Sequence, residues 1–138
     1  MAGFTEGAFK IHSGAEYCME FTPQSRWDCE ISVKYREGAR GVLRLSVRFD
    51  STETSMDISV RDSNGAVVIP DELRAEGCGQ ESLPDGVRFC ELSGMPRIKG
   101  EISCVVPQGT YYIGFCHGSR AGAEGLGEMI FSVSVKNI

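Results

Sequence analysis

The sequence contains no long hydrophobic run. No stretch approaches the roughly 20 consecutive apolar residues that a membrane-spanning helix needs. The opening residues, MAGFTEGAFK, also lack the apolar core of a signal peptide. We therefore expect no membrane contact by this fragment itself.

Basic residues are fewer than acidic residues. The 138 residues include 14 Lys and Arg against 19 Asp and Glu, which gives a net charge of -5. The basic residues are scattered along the chain, so they offer no concentrated surface for a phosphate backbone, and we exclude nucleic acid as a partner. The length is that of one globular domain, and we predict a single domain over residues 1–138.

Helical periodicity is absent, whereas a two-residue alternation recurs along the chain. In GVLRLSVRF the apolar residues fall on one side and the polar residues on the other, as in a half-buried strand. ISVKY, SMDISVRD and MIFSVSV repeat the pattern, and DSNG at 62–65 is typical of a tight turn. These features predict an all-β fold, a jelly-roll-like antiparallel β-sandwich. The predicted inward positions are Ile31, Val33, Tyr35, Leu43, Leu45, Val47, Phe49, Met56, Ile58, Val60, Met129, Phe131, Val133 and Val135.

Residues 75–100 break this alternation. The segment contains several glycines, two prolines, Cys78 and Cys90. We predict a long loop insertion here, with a short strand at GVRF. Loops of this length usually have a function or are held in place by additional contacts. A disulfide between the two cysteines would restrain this loop.

The six cysteines include no C-x-x-C pair, and the chain has only two histidines. Zinc ligands normally come in close pairs, so we expect no metal site of this kind. An even cysteine count instead favours at least one disulfide, although six cysteines allow 15 connectivities. Cys18 and Cys104 would form a disulfide if their strands are neighbours, and otherwise remain thiols.

No catalytic constellation is recognisable, so we predict that the chain is not an enzyme and uses no cofactor. Cys116 and His117 are adjacent, but neighbours on a strand point to opposite faces and cannot act as nucleophile and base. Asp50, Glu53 and Asp57 supply carboxylate oxygens of the kind that bind calcium. The alternative interpretation is that they belong to a solvent-exposed turn with no bound ion.

Two groups of residues are candidates for a partner surface. Trp27 is either a binding anchor or an apolar cap at one end of the sandwich. Polar side chains on two strands form either a recognition surface or an ordinary wet sheet face. The second group comprises Arg44, Arg48, Asp57 and Arg61.

Several segments together resemble a known family. CEISVKYREG, GVLRLSVRF, MDISVRDSNGAVV, GEISCVVPQGTYYIGFCHGS and GEMIFSVSVKN resemble, in this order, the GOLD (Golgi dynamics) domain, in particular the luminal domain of the TMED cargo receptors. The resemblance covers about residues 17–138. It implies a disulfide between Cys29 and Cys116, which match the family's cysteine pair.

The GOLD resemblance also implies a function. It predicts a non-enzymatic protein-interaction module that binds cargo or a related receptor, as a homo- or hetero-oligomer, in transport between endoplasmic reticulum and Golgi. The location would be the lumen of the early secretory pathway or the cell exterior. Because the family's coiled coil and membrane anchor are missing, the chain would be a truncated ectodomain.

Two alternatives remain open. SGAEYCMEFTP, MDISVRDSNGAVV and VPQGTYYIGF are similar to the bacterial prepeptidase C-terminal domain, which implies a secreted accessory domain, in some members calcium-binding. A cytosolic GOLD adaptor domain is the second alternative, and it predicts free thiols.

Overall fold

A computed structural model of the chain describes residues 9–21, 26–33, 42–52, 55–92, 98–117 and 127–137. These residues form eleven strands and no helix, so the described part of the chain includes no helix that could cross a membrane. The strands are β1 (Phe9–Lys10), β2 (Glu16–Phe21), β3 (Arg26–Val33), β4 (Leu43–Ser51), β5 (Ser55–Asp62), β6 (Glu72–Glu76), β7 (Cys78–Leu83), β8 (Gly86–Glu91), β9 (Ile98–Val106), β10 (Gly109–His117) and β11 (Gly127–Asn137).

The strands are arranged in two sheets that face each other. The six-stranded sheet has the order β1-β3-β10-β5-β8-β7, and the five-stranded sheet has the order β2-β11-β4-β9-β6. The short β1 pairs with β3 in parallel, and every other pairing between the described strands is antiparallel. The prediction of an all-β sandwich is confirmed.

The core lies between the sheets, on the side that the alternation predicts. In β4 every second residue from Leu43 to Ser51 is buried. Two aromatic pairs bridge the sheets: Phe115 lies 4.8 Å from Phe131, and Phe49 lies 4.8 Å from Phe89, between ring centroids. Thirteen of the fourteen predicted inward residues are buried or packed against the core, and the remaining one, Tyr35, lies outside the described residues.

The DSNG turn forms as predicted, but the chain does not return as a hairpin strand. Asp62 Oδ1 accepts hydrogen bonds from Asn64 N at 2.9 Å and from Ala66 N at 3.0 Å, and Gly65 adopts a φ of 82° that favours glycine. After one isolated bridge between Arg61 and Val67, the chain crosses to the five-stranded sheet as β6.

The prediction of a long loop insertion at about 75–100 is wrong. This segment contains the end of β6, the antiparallel pair β7 and β8, and the start of β9, and β8 pairs with β5 to extend the six-stranded sheet. The reason is a local alternation in which Val87 and Phe89 are buried, preceded by a turn at 84–85. The short strand expected at GVRF is confirmed as part of β8.

Cys29 and Cys116 lie on neighbouring strands but on opposite faces of the six-stranded sheet. Cys29 is fully buried opposite Ile113, whereas Cys116 follows the buried Phe115 and therefore points outward. No disulfide joins any of the six cysteines, all of which the structure describes. The expected disulfide between Cys29 and Cys116 is wrong because the alternation along β10 separates the two sulfurs.

Cys78 and Cys90 are also directed apart. The Cys78 thiol is buried and lies 3.7 Å from the carbonyl oxygen of Lys99 on the opposite sheet. The Cys90 sulfur lies 3.6 Å from Ser55 Oγ, on the outer side of the six-stranded sheet. The two cysteines are on adjacent strands, but they face opposite sides, so the predicted disulfide between them is wrong.

Cys18 and Cys104 lie on strands that are not neighbours. Their strands, β2 and β9, are separated in the five-stranded sheet by β11 and β4. Cys18 is exposed, whereas Cys104 is in the core, where burial raises its thiol pKa to about 12. The condition for a disulfide between them is not met.

Candidate functional site

The connection between β1 and β2, residues 11–15, is fixed to both sheets, and we call it the Ser13 loop. Ile11 N donates a hydrogen bond to Glu30 O at 2.9 Å, which ties the loop to β3. Gly14 N donates to Val133 O at 2.8 Å, which ties it to β11 in the other sheet. Gly14 has a φ of 85°, and this left-handed conformation explains the glycine.

Side chains complete the anchoring of the Ser13 loop. Ser13 Oγ accepts a hydrogen bond from Val135 N at 3.0 Å. The Tyr17 hydroxyl accepts one from His12 N at 2.9 Å, and the Tyr17 ring stacks on Phe131 at 5.4 Å between centroids. The loop is therefore held in one conformation before any partner arrives.

A cleft of about 310 Å³ opens beside this loop. Its lining combines a cation, a carboxylate and several hydroxyl groups, so it suits a polar or charged partner group. The lining residues are Lys10, Ile11, His12, Ser13, Glu30, Ile31, Ser32 and Thr110.

The charged groups of this cleft are arranged by their neighbours. The Tyr112 hydroxyl donates a hydrogen bond to Glu30 Oε1 at 3.3 Å. Desolvation and the adjacent Glu30 carboxylate raise the pKa of Tyr112. Lys10 is exposed at the rim of the cleft. The cleft therefore contains a cation, Lys10, and a carboxylate, Glu30, at paired positions of β1 and β3.

The residues predicted as one recognition surface lie on two faces. Arg44 and Arg48 belong to β4 and project from the five-stranded sheet, whereas Asp57 and Arg61 belong to β5 in the six-stranded sheet. The structure does not bring the two pairs together, because the chain changes sheets between β4 and β5. The side chain of Trp27 lies outside the described residues, and its backbone pairs opposite Phe115.

Cross-strand ion pairs occupy most of these side chains. Arg88 contacts Asp57 through two hydrogen bonds of 2.8 and 3.1 Å, and this pairing raises the pKa of Arg88. On the other face, Arg48 Nε lies 3.2 Å from Glu101 Oε2. Arg44 is 3.3 Å from an Asp71 oxygen. These pairs are those of an ordinary charged sheet surface.

The calcium candidates do not converge. Asp50 lies on β4 in the five-stranded sheet, and Asp57 lies on β5 in the other sheet, where it binds Arg88. Glu53 lies outside the described residues. Among the residues that the structure does describe, no group of three His, Cys, Asp or Glu side chains is placed to hold a metal.

The residues of the Ser13 loop are not among the site residues predicted from the sequence. A Ser-Gly pair followed by a tyrosine three residues later was a usable signal, since serine and glycine favour a fixed turn. The pairing of that loop with Val133 and Val135 could not be read from the sequence, because the partners are more than a hundred residues away.

Comparisons with known proteins identify the fold. No protein-family model matches the chain, and no curated protein is similar to it in sequence. Among solved structures, the chain is similar to PliG from Aeromonas hydrophila, a periplasmic inhibitor of g-type lysozyme, with 13% identity, a TM-score of 0.50, and coverage of 92% of this chain and 96% of that one. PliG from Salmonella Typhimurium has 10% identity and a TM-score of 0.45, with coverage of 92% and 98%.

These comparisons overturn the resemblance to the GOLD domain. The structure is similar in fold to the Aeromonas PliG inhibitor, and no family model supports either GOLD or the prepeptidase C-terminal domain. At 13% identity the likeness to the Aeromonas protein is one of fold. The expected role in transport between endoplasmic reticulum and Golgi was tied to the GOLD resemblance and is withdrawn with it.

Proposed function

We propose that this chain is a non-enzymatic, extracytoplasmic protein that binds a lysozyme and blocks its activity, with a g-type lysozyme as the first candidate. The Ser13 loop and the cleft beside it would be the contact surface. The fold shared with the Aeromonas inhibitor over nearly the whole length of both chains supports this class of function.

The observation that carries the proposal is the fixed conformation of the Ser13 loop. Its hydrogen bonds reach both sheets, through Glu30 on one side and Val133 and Val135 on the other. A loop that is already ordered loses little conformational entropy on binding, so more of its contact energy appears as affinity. The backbone of a protein inhibitor commonly changes little when the inhibitor binds its enzyme.

The chemistry of the cleft suits a glycosidase groove. Glycoside hydrolases generally act with paired carboxyl groups at the scissile bond. Lys10, exposed beside the cleft, would be complementary to such a negatively charged groove. The polar groups of His12 and Ser13 would add hydrogen bonds at the same contact.

Binding is favoured over catalysis because the polar groups of the cleft already serve the structure. Ser13 Oγ accepts a hydrogen bond from the backbone N–H of Val135, and the Glu30 carboxylate accepts one from the side-chain hydroxyl of Tyr112. A nucleophile needs an adjacent base to activate it, and Ser13 is instead oriented toward β11.

The test is a titration of lysozyme activity. The purified chain is added to a g-type lysozyme, and separately to a c-type lysozyme, and the clearing of a bacterial cell-wall suspension is recorded. We expect inhibition of the g-type enzyme at near-equimolar chain. Failure to inhibit either enzyme at a large molar excess would contradict the proposal.

A matched pair of charge reversals locates the surface. Lys10→Glu places a negative charge at the cleft and is expected to weaken inhibition about tenfold or more. Lys99→Glu makes the same change on the outer face of the five-stranded sheet and serves as control. Equal loss in both variants would show that net charge, rather than the cleft, governs binding.

A further inference from the structure

A second surface with different chemistry lies where the chain crosses from β5 to β6. Residues 66–71, which we call the Ile69 segment, border an apolar hollow of about 130 Å³. An apolar cavity of about 150 Å³ accepts a molecule as large as benzene, so this hollow has the size for one apolar side chain. Its lining residues are Val67, Val68, Ile69, Pro70, Leu73, Ser82, Leu83, Gly86 and Val87.

One strongly exposed apolar side chain borders the hollow. Ile69 is 82% exposed, the highest value among the exposed large apolar side chains of the described residues. Together with the apolar lining of the hollow it forms continuous apolar surface, which is a feature of sites that contact another molecule.

The Ile69 segment is anchored to both sheets. Val68 N donates a hydrogen bond to Val60 O at 2.8 Å in the six-stranded sheet. Asp71 N donates one to Ser103 O at 2.9 Å in the five-stranded sheet. Because both ends of the segment are fixed in this way, Ile69 is held outward as part of a built surface.

Acidic residues outnumber basic residues in the chain segment that borders this hollow. Residues 62–88 contain six carboxylates against two arginines. Arg44 pairs with Asp71 and Glu72, and Lys99 pairs with Glu76, whereas Glu81 and Asp85 flank the lining residues Ser82, Leu83 and Gly86. Glu72, Glu81 and Asp85 are exposed within this range. The surface therefore combines an apolar centre with an acidic border.

We propose that this surface docks a basic protein segment that presents one apolar side chain to the hollow. The apolar side chain would pack against Ile69 and Val67, and flanking lysines or arginines would meet the acidic border. A second copy of this chain is disfavoured as the occupant, because it would bring together two chains that each carry a net charge of -5. This inference is independent of lysozyme binding.

The experiment uses three synthetic five-residue peptides as probes of the full chain. The first has a leucine between two pairs of lysines, the second has a serine in place of the leucine, and the third has the leucine between pairs of glutamates. Binding is followed by NMR through the methyl signals of Val67, Val68 and Ile69. The lysine–leucine peptide is expected to shift these signals and to bind about tenfold or more tightly than either control peptide.

Two matched variants distinguish specific binding at this surface from non-specific hydrophobic binding. Ile69→Ser is expected to weaken binding of the lysine–leucine peptide about tenfold. Ile130→Ser removes an exposed isoleucine from β11, which does not border the hollow, and should have no effect. The proposal would be overturned if all three peptides bound equally well, or if the two variants lost the same amount of peptide affinity. It would also be overturned if the peptide shifted only the NMR signals of other residues. Methyl shifts that depend on the concentration of the chain alone would overturn it as well, since they would identify a second copy as the occupant.

Discussion

The Ser13 loop and the Ile69 segment lie at the same end of the sandwich but are built from opposite chemistry. In β10, Thr110 pairs opposite Ser32 at the cleft, and the next residue, Tyr111, pairs opposite Asp62, where the crossing begins. The loop presents polar groups that hydrogen bonds hold in place. The segment presents an exposed apolar side chain beside an apolar hollow.

The difference shows how one scaffold can carry two kinds of contact. Both regions are fixed by backbone hydrogen bonds to both sheets, and in the Ser13 loop the side chains of Ser13 and Tyr17 add to this anchoring. The exposed side chains are then free to determine which partner binds. Variants that damage the shared core should affect both regions, and variants at one region should leave the other unchanged.

The largest effect is expected from the shared core. Phe115→Ala removes a ring that packs against Phe131 between the two sheets and should lower the free energy of unfolding by about 3–5 kcal/mol. Urea denaturation measures the loss. Tyr112→Phe, on the outer face of the same strand, is the control, with an expected cost of about 0.5–1.5 kcal/mol. A Phe115→Ala protein as stable as the control would mean that the two sheets do not share this core.

Alkaline pH should weaken both regions together through Cys104. An unfolded thiol ionises near its reference pKa of 9.0, whereas burial keeps the folded thiol protonated up to about 12. The stabilising contribution is therefore complete below pH 9 and is lost as the pH rises from about 9 to about 12. Thermal unfolding of Cys104→Ala should show a flatter decline above pH 9 than the wild type, and Cys18→Ala should not.

A smaller and local effect is expected at Gly14. Gly14→Ala places a Cβ on a residue with a φ of 85° and should cost about 1–2 kcal/mol. Lysozyme inhibition should weaken while peptide binding at Ile69 is unchanged. The control is Gly79→Ala, where a Cβ would meet only Leu92 at an ordinary 3.8 Å. Equal effects of both changes would show that the loop conformation does not matter.

The smallest effect is expected on the outer face of the six-stranded sheet. Asp57→Asn removes the charged acceptor of Arg88 in a partly exposed pair and should cost about 0.2–1 kcal/mol. Chemical denaturation at low and high salt measures this cost, which salt should reduce. If the change also abolished lysozyme or peptide binding, this face would have to be part of a binding surface.

The core was predictable because strand alternation is a local property. Leu43 to Phe49 and Met56 to Val60 show their buried side directly in the sequence, and the structure agrees. The same rule applied to β10 gives Ile113 and Phe115 as inward and Cys116 as outward. The alternation therefore argues against a disulfide with the inward-facing Cys29, whereas the family resemblance implied one.

Positions set by distant pairing were not predictable. Residues 75–100 read as a loop because glycines and prolines dilute the alternation, although Val87 and Phe89 supply a strand once β5 is beside them. The Ser13 loop acquires its shape from Val133 and Val135, at the other end of the chain. Such contacts depend on the order of strands in the sheets, which a single sequence does not specify.

Hydrogen–deuterium exchange of the chain with and without a g-type lysozyme shows whether the Ser13 loop contacts the enzyme. We expect slower exchange in residues 11–17 and 30–32 when the lysozyme is bound, with no change on the edge strand β6. Protection confined to β6 and β9, or no protection anywhere at saturating lysozyme, would contradict this expectation.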